Sequence, residues 1–214
     1  MTAADRSSEI FADKLLVLDR IGAEQMLAEA RAQDAPLKAV ERLVVPALEE
    51  IGRRWEQGSA ALAQVYMSSR ICEELVDKLL PPSSPERILR PKIGIALLDD
   101  YHALGKTIVC AALRASGYEL CDYGRLTAPE LAERICRDEV KIVLISTLML
   151  HSALQIKQVK ILLVAAGSAT KIIVGGAPFR FDPELWREVG ADASGNNAAE
   201  AVRAVARCME ELTQ

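Results

Sequence analysis

Apolar residues in the first part of the chain return at steps of three and four. In AVERLVVPALEEIGRRWEQG the series Val44, Leu48, Ile51, Trp55 keeps that spacing, and in ALAQVYMSSRICEELVDKLL so do Leu62, Val65, Ser69, Cys72, Val76 and Leu79. One face of a 3.6-residue helix repeats at this interval. Residues 1–85 are therefore expected to form a helical domain, a bundle of four helices. Pro46 interrupts one series, which predicts a kink or a late helix start there. PPSSPER, Pro81 to Arg87, then places three prolines and two serines in seven residues; such a stretch stops a helix and predicts a linker.

Beyond Arg90 the pattern becomes short continuous apolar runs: KIGIALL, YELCDYG, KIVLIST, KIIVGG and the weaker GADAS. Runs of this kind are strands buried on both faces of a parallel sheet. Helical patterns separate them: GKTIVCAALRASG, TAPELAERICRD with Thr127 and Glu130 spaced as a capping box, SALQIKQVKILLVAAG and DPELWREVG, with NAAEAVRAVARCMEEL last. Strands alternating with helices over 90–214 predict an α/β domain, a doubly wound, flavodoxin- or Rossmann-like, five-stranded parallel sheet.

Composition narrows the functional classes. Half of the 214 residues are apolar, 26% are charged and the net charge is −4, so nothing argues for a nucleic-acid partner. No apolar run is long enough to cross a bilayer. MTAADRSSEIFADK lacks the basic-then-apolar pattern of an export signal, and a cytoplasmic location is expected. The five cysteines form no CxxC pair and are read as small buried hydrophobes.

Ligands of doubly wound sheets bind beyond the carboxyl ends of the strands, and there, after the first strand, stands DDYHALG. Asp100, His102 and Gly105 make the pattern DxHxxG. Read without function, Asp100 caps the next helix and Gly105 supplies a turn. Read as chemistry, a neutral imidazole gives one nitrogen to a metal while a carboxylate holds the other N–H. A protein-held zinc or iron would need three or four ligands, and only His102 is present here, so a metal must arrive already chelated. His151 has no Asp two positions before it and is read as a loop residue.

These residues resemble the cobalamin-binding domains, whose signature is DxHxxG after the first strand, Ser-x-Leu after the third and Gly-Gly after the fourth. Asp100, His102 and Gly105 match the first, Ser146 and Leu148 the second, Gly175 and Gly176 the third. The resemblance implies that cobalamin binds base-off, with His102 as axial ligand to cobalt and the freed nucleotide tail threaded beside the sheet. It also implies that Gly105, Gly175 and Gly176 leave room for the tail, that Ser146 offers it a hydroxyl, and that Ser152 bonds Asp100 in a His–Asp–Ser relay. Where some relatives have threonine this chain has Leu150, so one polar contact is expected to be missing. EEIGRRWEQGSAALAQVYMSSR looks like the helical cap of corrinoid proteins of methyl transfer, with Trp55 and Leu62 covering the upper face of the cobalt; without the resemblance, Trp55 reads as bundle core.

The implied function is a non-catalytic methyl carrier working with donor-side and acceptor-side partner methyltransferases and with a reductive activator. His102 is then expected to bind and release cobalt during the cycle, with Asp100 helping to take up a proton. An adenosylcobalamin-dependent sensor is the alternative; it usually carries Glu-His where this chain has Val65 and Tyr66. An isomerase subunit would lack a cap. A phosphorelay receiver, with its acidic first-strand end, would need an Asp where Ser146 stands.

Overall fold

A computed structural model describes residues 3–79 and 90–213, and the linker expected over Pro81 to Arg87 lies outside them. The chain divides into two compact units, Met1–Arg90 with Ala111–Glu119, and Pro91–Cys110 with Leu120–Gln214.

In the helical unit α1 (Ala3–Leu16), α2 (Arg20–Gln33), α3 (Pro36–Ala39), α4 (Val45–Glu56) and α5 (Leu62–Leu79) follow one another, and a π-helical turn, Val40–Val44, joins α3 to α4. The π turn answers the question raised by Pro46. Proline has no N–H, and its ring collides with the carbonyl four residues back in a regular helix. A wider turn placed just before it relieves both problems, so α4 starts at Val45 with the proline in its first turn. Val44, Leu48 and Ile51 are buried as their spacing predicts, together with Phe11, Leu15, Cys72 and Val76. Trp55 is half-buried.

The sheet unit contains β1 (Ile93–Leu98), β2 (Leu120–Leu126), β3 (Ile142–Ser146), β4 (Lys171–Gly175) and β5 (Ala193–Ser194). The strands lie in the order β2-β1-β3-β4-β5 and every pairing is parallel, the doubly wound arrangement expected. Helices α6 (Leu104–Ala115), α7 (Ala128–Arg137), α8 (Leu150–Leu154), α9 (Ile156–Ala165), α10 (Ala177–Phe181), α11 (Leu185–Glu188) and α12 (Ala198–Thr213) connect and close it. Ala96, Leu98, Val143, Ile145, Ile172 and Val174 share one core with Leu131, Ile135, Ile156, Val159 and Leu163. The capping box is formed: the Thr127 N–H and hydroxyl both donate to the Glu130 carboxylate, at 2.8 and 2.7 Å.

Three local expectations change. The helix expected over SALQIKQVKILLVAAG is two, broken at Gln155, and α10 follows β4 where none was foreseen. Strand β2 starts later than YELCDYG and runs to Leu126. Two of its residues, Tyr123 and Gly124, are set against Ala96 of β1, since Ile95 faces Asp122 while Leu97 faces Arg125, and Gly124 turns that bulge at φ +64°. Cys72, Cys110 and Cys208 are buried, but Cys121 is half-buried and Cys136 is exposed, because β2 is an edge strand and Cys136 lies on the outer side of α7. Among the described residues no helix is long and apolar enough to cross a membrane.

The chain leaves β1 towards β2 on one side, while β3 pairs on the other. Doubly wound sheets bind ligands beyond the carboxyl ends of the strands at such a switch point, and it is after the ends of β1 and β3 that the motif residues collect.

Candidate functional site

Strand β1 ends in a residue with left-handed backbone, Asp99 at φ +43°. Such a conformation is uncommon outside glycine and needs support. Its N–H donates to the Leu126 carbonyl at 3.0 Å, and its own carbonyl accepts the Ser152 hydroxyl at 2.9 Å. The turn sends the Asp100 side chain inward, where only 2% of the residue is exposed. Asp100 Oδ1 accepts the His102 backbone N–H at 3.0 Å and faces His102 Nδ1 at 2.7 Å, while Oδ2 accepts the N–H groups of Leu148 at 2.6 Å and Met149 at 3.1 Å.

Electrostatics follow from that list. Burial opposes a charge on Asp100, but the Leu148 N–H, the His102 ring and backbone N–H and the Met149 N–H outweigh it and hold the carboxyl well below the usual carboxylate range. A carboxylate only accepts, so the proton of this pair resides on His102 Nδ1 and the lone pair on Nε2. The imidazole is 55% exposed. It thus presents an exposed ring nitrogen beyond the carboxyl end of β1.

One expectation is corrected here. Ser152 does not bond Asp100: its hydroxyl is used by the Asp99 carbonyl, and two backbone N–H groups already occupy Asp100 Oδ2.

Gly105 opens α6 beside Ser146, at the end of β3. A Cβ at Gly105 would meet the Ser146 hydroxyl at 3.7 Å, which is ordinary contact, so space is left between the two. The glycines after β4 serve differently. A Cβ at Gly175 would lie 2.9 Å from the Gly195 carbonyl, and one at Gly176, whose φ is +122°, would lie 1.7 Å from that of Thr147. Both are required by loop packing within the protein itself. Leu148 and Leu150 are exposed, and His151 is exposed on α8. Trp55 and Leu62 belong to the helical unit, at the end of α4 and the start of α5.

Several residues around the site had no signal in the motif. Lys106 is buried and donates to both Asp122 oxygens at 2.5 and 2.6 Å. The Arg125 guanidinium lies 3.8 Å from the centre of the Tyr101 ring. Thr147 keeps a buried hydroxyl without a partner. Only the register of β2 against β1 brings the first two pairs together. Thr147 had a weak signal, a hydroxyl between two motif residues.

Among the described residues no group of three or more His, Cys, Asp or Glu could hold a metal ion. One exposed imidazole, beside the methyl-sized gap that Gly105 leaves next to Ser146, suits a metal that brings its own chelator.

Comparison with known proteins agrees with that chemistry. A family model described as B12 binding domain matches residues 91–205, and a second with the same description matches residues 8–80. The chain is 30% identical over 185 residues to dimethylamine corrinoid protein 3 of Methanosarcina acetivorans, covering 83% of this chain and 85% of that one. Its fold is similar to a cobalamin-binding protein from Desulfitobacterium hafniense, with a TM-score of 0.79 and 24% identity over 94% of this chain and 97% of the other. A chain of the methanol:cobalamin methyltransferase complex from Methanosarcina barkeri is similar at a TM-score of 0.64 and 20% identity, over 94% and 81% of the two chains.

Proposed function

Because this chain belongs to the B12 binding domain family and binds cobalamin, we propose that it is a corrinoid methyl carrier, with a helical cap domain over residues 1–85 and a cofactor-binding domain over 90–214. It passes methyl groups between a donor-side and an acceptor-side methyltransferase, as the names of its relatives suggest. Bound cobalamin supplies the cobalt chemistry of methyl transfer. The chain's own residues hold, orient and shield.

The observation that carries the reading is the pairing of His102 Nδ1 with Asp100 at 2.7 Å, which leaves Nε2 as the exposed nitrogen. His102 would hold the cobalt through Nε2, in place of the cofactor's own base. Asp100 fixes the tautomer and makes the ring a better donor. Gly105 and Ser146 border the room for the nucleotide tail. Leu148 contributes an exposed apolar surface near His102, since its own N–H is tied to Asp100. The resemblance gives Trp55 and Leu62 the task of keeping water and oxygen from the cofactor. Ser152, Gly175 and Gly176 act at one remove, by holding the backbone of the loops in place.

The test is electron paramagnetic resonance of the chain loaded with cobalamin and reduced to the cobalt(II) state. Coupling to one axial nitrogen is expected, changing from a triplet to a doublet pattern when histidine alone carries nitrogen-15, and disappearing in His102→Ala. A nitrogen coupling indifferent to histidine labelling would mean that the cofactor's own base remains on cobalt, and the base-off reading would be lost.

A further inference from the structure

The loop carrying His102 is fastened on two sides. On the β3 side Asp100 does this through Leu148 and Met149. On the other side lies the bulge of the edge strand β2, and no part of the cobalamin signature accounts for it. The bulge puts an extra residue between the positions facing Ile95 and Leu97. Asp122, just before it, accepts the Gly124 N–H at 2.9 Å and the buried Lys106 ammonium from the first turn of α6. Arg125, just after it, stands over the Tyr101 ring at 3.8 Å and 3.9 Å from the Asp99 carboxylate. Leu126 then accepts the Asp99 N–H. Asp99, Tyr101 and Lys106 bracket His102, and each is held by a residue flanking the bulge: Leu126, Arg125 and Asp122 respectively.

We propose that Arg125 is a positioning residue for the cobalt ligand, acting through Tyr101. The inference rests on His102 being that ligand. A side chain that is 78% exposed, as Tyr101 is, does not order a loop by being buried, and a non-glycine residue at φ +43° tends to relax. A guanidinium stacked on the ring supplies the missing restraint from a rigid element. A regular strand would have turned Arg125 to the opposite face, because side chains alternate along it; the bulge re-aims the residue towards the loop.

The experiment uses the full chain and two readouts. Without cofactor, hydrogen exchange of the amides from Tyr101 to Leu104 is expected to quicken about two- to fivefold in Arg125→Ala, the range of one exposed cation–π contact, while the amides of β3 are unchanged. Tyr101→Ala should do the same, Tyr101→Phe should remain near wild type, and the double variant Arg125→Ala/Tyr101→Ala should be no faster than either single one. With cobalamin bound, Arg125→Ala should lower the fraction of cobalt(II) showing histidine nitrogen coupling. Unchanged loop exchange in Arg125→Ala, or effects of the two single variants that simply multiply, would overturn the proposal. If wild type showed no histidine coupling, the ligand reading would fall, while the exchange measurements would still judge the clamp.

Discussion

Gly105 and Gly176 belong to the same signature but carry opposite constraints. Gly176 has a backbone angle open only to glycine and no room for a Cβ beside the Thr147 carbonyl, so Gly176→Ala is expected to cost at least about 3 kcal/mol. Urea unfolding measures this, and a loss under about 1 kcal/mol would be inconsistent with the packing described. Gly105→Ala should leave the empty protein as stable as wild type or up to ~1 kcal/mol better, since alanine is the better helix former and the nearest atom stands off at 3.7 Å. Its cobalamin affinity should fall by about tenfold, in line with the usual cost of overpacking a filled space. Equal affinity would show that the tail runs elsewhere. His102 and Asp100 were legible as a pair because a separation of two residues is local. The fate of Ser152 was not, because the left-handed turn at Asp99 decides which oxygen its hydroxyl meets.

Among the helices, α1 and α4 are joined by charges as well as by core packing. Glu50 accepts from Arg53 and Arg54, and Arg54 reaches Asp13 on α1 at 2.6 Å. The Arg53 bond, opposed by partial burial and helped by Arg54, lowers the Glu50 carboxyl from its ordinary value. A carboxyl lowered by folding adds stability that is fully present above its unfolded value of about 4.3 and is lost as pH falls through the lower folded value. Glu50→Gln should therefore melt below wild type at pH 7 by no more than ~1 kcal/mol, because Arg53 is largely exposed. The two curves should converge as the pH drops below about 4; a gap that stays constant from neutral to acid pH would show that the charge is not responsible. The elements themselves were readable wherever the apolar period was long. The π turn and the β2 bulge were not, because each is a one-residue adjustment made to suit a proline or a neighbouring strand.

For the whole molecule, a cofactor that binds only the folded chain must raise its melting temperature. Saturation at a hundred times the dissociation constant adds about 2.7 kcal/mol, so excess hydroxocobalamin should shift the calorimetric transition upwards. His102→Ala should retain a smaller shift, because the space at Gly105 and Ser146 survives; no shift in wild type would contradict binding to the native state. By itself the sequence determined the kind of most segments and the pairing of Asp100 with His102, since periodicity and a two-residue spacing are properties of a single stretch of chain. Only the tertiary structure decided what surrounds that pair. The N–H groups of Leu148 and Met149 lie far along the chain from Asp100, and Arg125 far from Tyr101. They meet because parallel pairing sets Leu97 opposite both Ser146 and Arg125, a register that belongs to the sheet and not to any one stretch of chain.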